Sequence, residues 1–281
     1  MPRRLQHPPT SRRPGIETCR QSLVRVAKGL FARRYSARVP EERDEWVTAM
    51  READVLHSPL APPAACARCL RPLEADKRHW GTCYSCGHEH PPTLPRVAAA
   101  TYGATGTRPW IFFTTTKFEE ASAEQLASFV NGIAAVVSLT IETEHPEFVD
   151  SDDDHVVVPV PSSNGLIHRS LAAIEANGWP SLVVVDALTA ASDRPRQTDL
   201  NMEGRRAAAA GKYTASAAVA GKHVLLLDDA YTSGYTLHDA ARAVAAAGAL
   251  SVAGVVYARR IYPDAMAIYR AELGENDGDE G

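Results

Sequence analysis

An apolar run that stops at two carboxylates and then turns through hydroxyls and a glycine constrains this chain more than any other feature. Residues 224–227 are Val, Leu, Leu and Leu; Asp228 and Asp229 follow, then Ala230, Tyr231, Thr232, Ser233, Gly234, Tyr235 and Thr236. The aliphatic run predicts a short strand buried on both faces, and the alanine-rich stretch 237–247 predicts a helix. The turn between them therefore sits at the carboxyl end of a strand, where open α/β sheets bind ligands. Backbone N–H groups at a helix start lack partners within the helix, so with the hydroxyls of Thr232, Ser233 and Thr236 they can surround a phosphate. Gly234 lets the main chain approach because no Cβ stands in the way. Asp228 and Asp229 fall beside the anion, where they suit ribose hydroxyls, which donate to carboxylates, or a magnesium ion, which takes hard oxygen ligands. Two other phosphate motifs are excluded: Gly211-Lys212 is followed by Tyr213 and lacks the upstream glycine of a P-loop, and Gly103 and Gly106 have the wrong spacing for a dinucleotide fingerprint.

The second constraint is Cys66 and Cys69, followed after thirteen residues by Cys83 and Cys86. Four thiolates at this spacing make a tetrahedral zinc site, and the intervening stretch is long enough for a hairpin, so a zinc ribbon is expected. A tetrathiolate site has no open coordination position, so the Zn2+ is expected to be structural, its binding energy folding a segment too small to bury a core. With four of five cysteines assigned to metal, a reducing compartment, the cytoplasm, is expected, with no disulfide framework.

The net charge of −4 hides an asymmetry between the ends: residues 1–38 carry nine arginines and one lysine against Glu17, whereas 264–281 carry six acidic residues against Arg270. The basic leader reads as an arm touching nucleic acid, a targeting peptide, or a helix with a charged face; Leu23, Val24, Ala27, Leu30 and Phe31 have helical spacing. The acidic end reads as a solvated tail. The longest uncharged run, 126–141, is short of a membrane span and reads as a buried helix, so no membrane partner is expected. Proline clusters around 58–63 and 91–95 bracket the cysteine segment. The divisions expected are a basic, partly helical leader at 1–60, a zinc ribbon at 61–92, an α/β domain at 96–262 and an acidic tail at 263–281.

The stretch 224–236 resembles the phosphoribosyl-pyrophosphate (PRPP) signature of the type I phosphoribosyltransferases. The resemblance implies a mainly parallel sheet flanked by helices, with 230–236 holding the 5′-phosphate and Asp228 and Asp229 the ribose 2′- and 3′-hydroxyls. A four-cysteine ribbon directly before such a domain resembles the ComF-like family, named for a competence protein involved in DNA uptake. Arg194, Gln197, Leu200, Arg205 and Gly211-Lys-Tyr213 are similar to that family's pattern, Lys117-Phe118 is similar to its Lys-aromatic pair, and Pro159-Val-Pro-Ser162-Ser163 looks like its pyrophosphate loop. Two positions depart from the family: 164–171 lacks its Arg-Gly-Phe-Asn-Gln stretch, and Ala208 stands where an asparagine is expected. The implied chemistry is displacement of pyrophosphate from the anomeric carbon by an unidentified acceptor, with Mg2+ accompanying PRPP. Arg194, Arg196, Arg205 and Arg206 are candidates to meet the leaving group's charge, Arg205 first, because fixed charges in a closed site favour the state in which charge has separated. Alternatives are a PRPP sensor without catalysis and a protein binding single-stranded nucleic acid through leader and ribbon. A homo-oligomer is compatible with all three.

Overall fold

The computed structural model describes residues 42–89, 93–152, 154–162, 164–191 and 210–275. The chain divides into two compact units, 1–39 and 40–281, and every described residue lies in the second. The stretch of the expected leader from residue 42 onward thus belongs to the larger unit, where helix α1 (Arg43–Glu52) buries Trp46, Val47 and Met50.

Four parallel strands form the central sheet: β1 (Val97–Gly103), β2 (His155–Pro159), β5 (His223–Tyr231) and β6 (Ser251–Arg260), in the order β1-β6-β5-β2. Val156, Val157, Val158 and 224–227 are fully buried, as required of strands covered on both faces. Val183 and Val185 exchange backbone hydrogen bonds with Val157, so the stretch 182–185 adds a single bridge beyond β2. Between β1 and β2 run α2 (Arg108–Lys117) and α3 (Ala123–Glu144); α4 (Leu166–Ala176) follows β2, and α5 (Tyr235–Ala246) follows the signature strand. A two-stranded antiparallel ribbon, β3 (Leu188–Ala190) and β4 (Tyr213–Ala215), lies between α4 and β5.

Because successive strand residues face opposite ways, Val224 and Leu226 of β5 and Val156 and Val158 of β2 share one face. That face packs in one apolar cluster with Leu237, Ala240 and Val244 of α5, with Tyr213, and with all four cysteines of 66–86. The cysteine segment is therefore a layer on the sheet. Helix α3, 22 residues long, is apolar and long enough to span a membrane, longer than the uncharged run suggested, but most of that stretch is buried inside the fold. A Cβ on its Gly132 would lie 2.9 Å from the Met50 sulfur, which measures how closely α1 approaches.

The chain end differs from expectation. Residues 263–272 form helix α6 (Pro263–Glu272), which buries Ala265, Met266 and Tyr269, the last stacked edge-on against Tyr102. The acidic count of 264–281 concealed a helix whose apolar residues share one side.

Candidate functional site

Strand β5 runs two residues past the carboxylates, with Ala230 opposite Ala258 and Tyr231 opposite Arg259 of β6. Of the stretch 230–236, Ala230 and Tyr231 thus belong to the sheet, the turn proper is Thr232, Ser233 and Gly234, and α5 begins at Tyr235 and Thr236. Gly234 has φ +84°, and a Cβ there would fall 2.2 Å from the Tyr231 hydroxyl oxygen, so the position admits only glycine without rearrangement. The Tyr231 ring is buried beneath the turn, its hydroxyl 3.2 Å from His238 Nε2. Tyr231 supports the turn from below.

The two aspartates are buried and, as strand neighbours, project to opposite faces. Asp229 accepts an ion pair from Lys117 Nζ at 2.6 Å, and Asn164 Nδ2 lies 3.5 Å from its Oδ2. Asn164 Oδ1 in turn accepts from the Ser162 hydroxyl at 3.3 Å and from the Leu166 amide at 2.9 Å, tying the loop after β2 to the start of α4. The loop proposed to take pyrophosphate and the strand proposed to take ribose therefore meet at Asp229. Among the described residues, Asp228 pairs with no cation as Asp229 does with Lys117. Its carboxylate accepts the Asp229 amide at 2.8 Å, yet burial, and then the neighbouring Asp229 charge, push it up to about 7.

Asp239 on the first turns of α5 fastens the β3–β4 ribbon. Burial works to raise its carboxyl, but Arg242 and the amides of Tyr213 and Gly211 donate to it and hold it below the usual range. The stretch between these two strands carries Arg194, Arg196, Gln197, Arg205 and Arg206; those residues and Ser163 lie outside the described ones.

Residues 167–265 match the family model of the phosphoribosyl transferase domain. The match covers about a third of the chain, from α4 through the aspartates, turn and β6 into α6. No curated protein matches the chain.

Preceding this phosphoribosyl transferase domain, the four cysteine Sγ atoms lie within 4.8 Å of one another, all buried and none in a disulfide. Cys69 and Cys83 sulfurs are 3.7 Å apart. A tetrahedron with metal–sulfur bonds of about 2.3 Å has edges of about 3.8 Å, so the donor set fits a zinc-like cation. The electrostatics agree: hydrogen bonds from Cys66 first, with Arg259 adding to them, hold Cys69 well below the ordinary thiol range, while its neighbours push Cys86 far up. Four sulfurs this close need a cation to be anionic together. The first pair sits in a knuckle closed by Cys66 N–H to Arg71 O and Leu70 N–H to Cys66 O, with a bridge between Ala65 and Pro72. The connection to the second pair passes through a 3-10 helix at Ala75–Trp80, where the sequence suggested a hairpin. Arg68 donates to the carbonyls of Cys86 and Leu94, fastening the second pair to the first.

Sequence reasoning passed over three residues of the phosphoribosyl transferase domain's surroundings. Lys117 is half of a Lys-aromatic dipeptide, Asp239 lies inside an alanine-rich helix, and Arg259 ends an apolar strand. None sits in a local pattern; each acts on residues 26 to 190 positions away.

Proposed function

We propose that this protein binds PRPP with Mg2+ and transfers its phosphoribosyl group to an acceptor, releasing pyrophosphate. The observation that carries the reading is the convergence on Asp229 of Lys117 and, through Asn164, of the loop bearing Ser162, beside a glycine turn that opens a helix. The match of 167–265 to the phosphoribosyl transferase domain supports it.

In this reading Thr232, Ser233 and Thr236, with the first amides of α5, hold the 5′-phosphate. Asp228 and Asp229 accept hydrogen bonds from the ribose hydroxyls, orienting the anomeric carbon. Ser162, Ser163 and Asn164 receive the pyrophosphate, and Lys117, at the same carboxylate, is within reach of the negative charge that grows on the leaving group. Mg2+, which suits the hard oxygens of the aspartates and of pyrophosphate, would supply further charge neutralisation when bound. Arg205 is proposed to close over the leaving group. Membership of the ComF-like family, a structural Zn2+ at the cysteines and a cytoplasmic setting belong to the same proposal.

Calorimetry with PRPP and Mg2+ tests it: saturable binding by the wild type that disappears in Asp228→Asn/Asp229→Asn is expected. No binding by folded, zinc-loaded protein overturns it.

One observation favours a second reading. Trp80 and Tyr84 of the cysteine segment are 59% and 70% exposed, and exposed rings offer stacking platforms to unpaired bases. Affinity for a single-stranded oligonucleotide that falls steeply with salt and is lost in Trp80→Ala/Tyr84→Ala would support it.

A further inference from the structure

Arg259 is charged, 6% exposed, and placed at the end of β6 between the cysteine knuckle and the phosphate turn. Its Nε donates to the Cys69 carbonyl at 2.8 Å and its Nη2 approaches the Cys69 sulfur at 3.7 Å. Its Nη1 donates to the carbonyls of Tyr231 at 3.0 Å, Thr232 at 3.1 Å and Arg260 at 2.6 Å. The guanidinium lies over the Tyr231 ring, 4.7 Å from its centroid, and that ring is the post beneath Gly234. One side chain thus holds a metal-ligating sulfur, the carbonyl of the same cysteine, and the two residues that lead into the turn. On its open side is a cavity of about 350 Å³ bordered by Cys69, Cys83, Cys86, Ser233 and Tyr235.

We propose that Arg259 is a positioning residue that couples metal occupancy of the four cysteines to the shape of the phosphate turn, so that a loaded cysteine cluster raises affinity for the 5′-phosphate of PRPP. The inference rests on the reading that this turn holds that phosphate. A bound metal fixes the Cys69 sulfur and its knuckle; the planar fork of Arg259 carries that position to the carbonyls of Tyr231 and Thr232, and these set where the following amides point. An arginine is required because a lysine offers the charge without a fork able to reach sulfur, two carbonyls and a ring together. Burial of those carbonyls without a donor is unfavourable, so the turn shifts when the fork is lost. The coupling is reciprocal: PRPP must tighten metal binding by the factor by which metal tightens PRPP binding.

The full chain is compared with Arg259→Lys by three measurements: zinc content, PRPP–Mg2+ calorimetry before and after zinc is withdrawn by a chelator, and hydrogen exchange of the amides in 231–236. Arg259→Lys is expected to retain one zinc, bind PRPP at least tenfold more weakly and exchange its turn amides faster. In the wild type, PRPP should raise the chelator concentration needed to remove zinc, and in Arg259→Lys it should not. A variant with zinc retained, PRPP affinity within twofold of wild type and unchanged turn exchange overturns the coupling. If loaded wild type binds no PRPP, the phosphate reading fails; hydrogen exchange then decides the coupling alone, with faster turn exchange on zinc removal in wild type supporting it and unchanged exchange overturning it. Should Arg259→Lys fold poorly, Tyr231→Phe is the control: it keeps the ring and fork and loses only the His238 contact, so the coupling requires that it retain the zinc-dependence of PRPP affinity.

Discussion

The cysteine cluster and the aspartate pair are both buried sets of acidic ligands, and they are built in opposite ways. All four sulfurs come from one segment of 21 residues, 66–86, converge within 4.8 Å and are braced by backbone hydrogen bonds of the same segment. The two carboxylates come from adjacent positions of one strand, diverge to opposite faces, and find partners at residues 117 and 164. A convergent set that closes around a cation would have no place for a substrate and can serve folding; a divergent set held by distant elements leaves room for a ligand between them. The cluster should therefore govern stability and the pair should govern binding.

The largest effect expected is on the convergent side. Cys69→Ser removes one sulfur and weakens the anchor of Arg259, and loss of a structural metal stands among the few causes of destabilisation of about 4 kcal/mol or more. For a unit of this size the melting temperature should fall by about 10 °C, with zinc content dropping in parallel. A scan in which Cys69→Ser keeps both metal and melting temperature would remove the distinction between the clusters.

On the divergent side, Asp229→Asn should leave melting nearly in place and weaken PRPP binding about 100-fold, since hydrogen bonds to a charged group contribute about 1.5–3 kcal/mol each. The Lys117 ammonium, a quarter exposed, can turn to water when its partner is neutralised. If Asp229→Asn lowers the melting temperature as much as Cys69→Ser, the pair is structural too.

Asp228 sharpens the contrast through pH. Its folded value is raised from 3.8 to about 7, so its contribution to the stability of the free protein is fully present below pH 4 and is lost as pH rises through 7. A ribose hydroxyl donates to the ionised form, so PRPP binding by wild type should strengthen about tenfold between pH 6 and 8, beyond any titration of PRPP itself. Asp228→Asn should flatten that dependence, bind PRPP weakly at every pH, and melt higher than wild type at pH 8, because it buries no charge. Parallel pH profiles for wild type and variant would show that Asp228 is not the titrating group.

How much of this was legible in the sequence follows the same division. The cysteines, the strand that ends at Asp228 and the glycine turn are local patterns, because a knuckle or a strand-to-helix turn is made by consecutive residues whose spacing is fixed by backbone geometry. The parallel sheet was expected through the resemblance that the same signature carries, and the buried strand at 224–227 from its own aliphatic run. Lys117, Asn164 and Arg259 act across 112, 65 and 190 positions, and only the sheet order brings them to their partners. Tyr231 was legible as a member of the signature but not as its support, since the register with Arg259 turns the ring inward. Helix α6 was hidden by composition: Ala265, Met266 and Tyr269 share a side, and the charges around them dominated the count.

The smallest effect concerns the turn itself, where two constraints on Gly234 can be separated. Any L-residue at φ +84° costs about 1–2 kcal/mol, and a side chain there also meets the Tyr231 ring, with the hydroxyl oxygen 2.2 Å from the Cβ position. Gly234→Ala should therefore lower the melting temperature by a few degrees, less than Cys69→Ser. Tyr231→Leu on its own removes the ring and its contact with Arg259. If the ring is what excludes a side chain, the double variant Gly234→Ala/Tyr231→Leu is more stable than the sum of the single losses predicts, because the collision is absent and only the φ cost remains. Strict additivity would mean that the backbone conformation alone demands glycine, and that the ring supports the turn without restricting what stands on it.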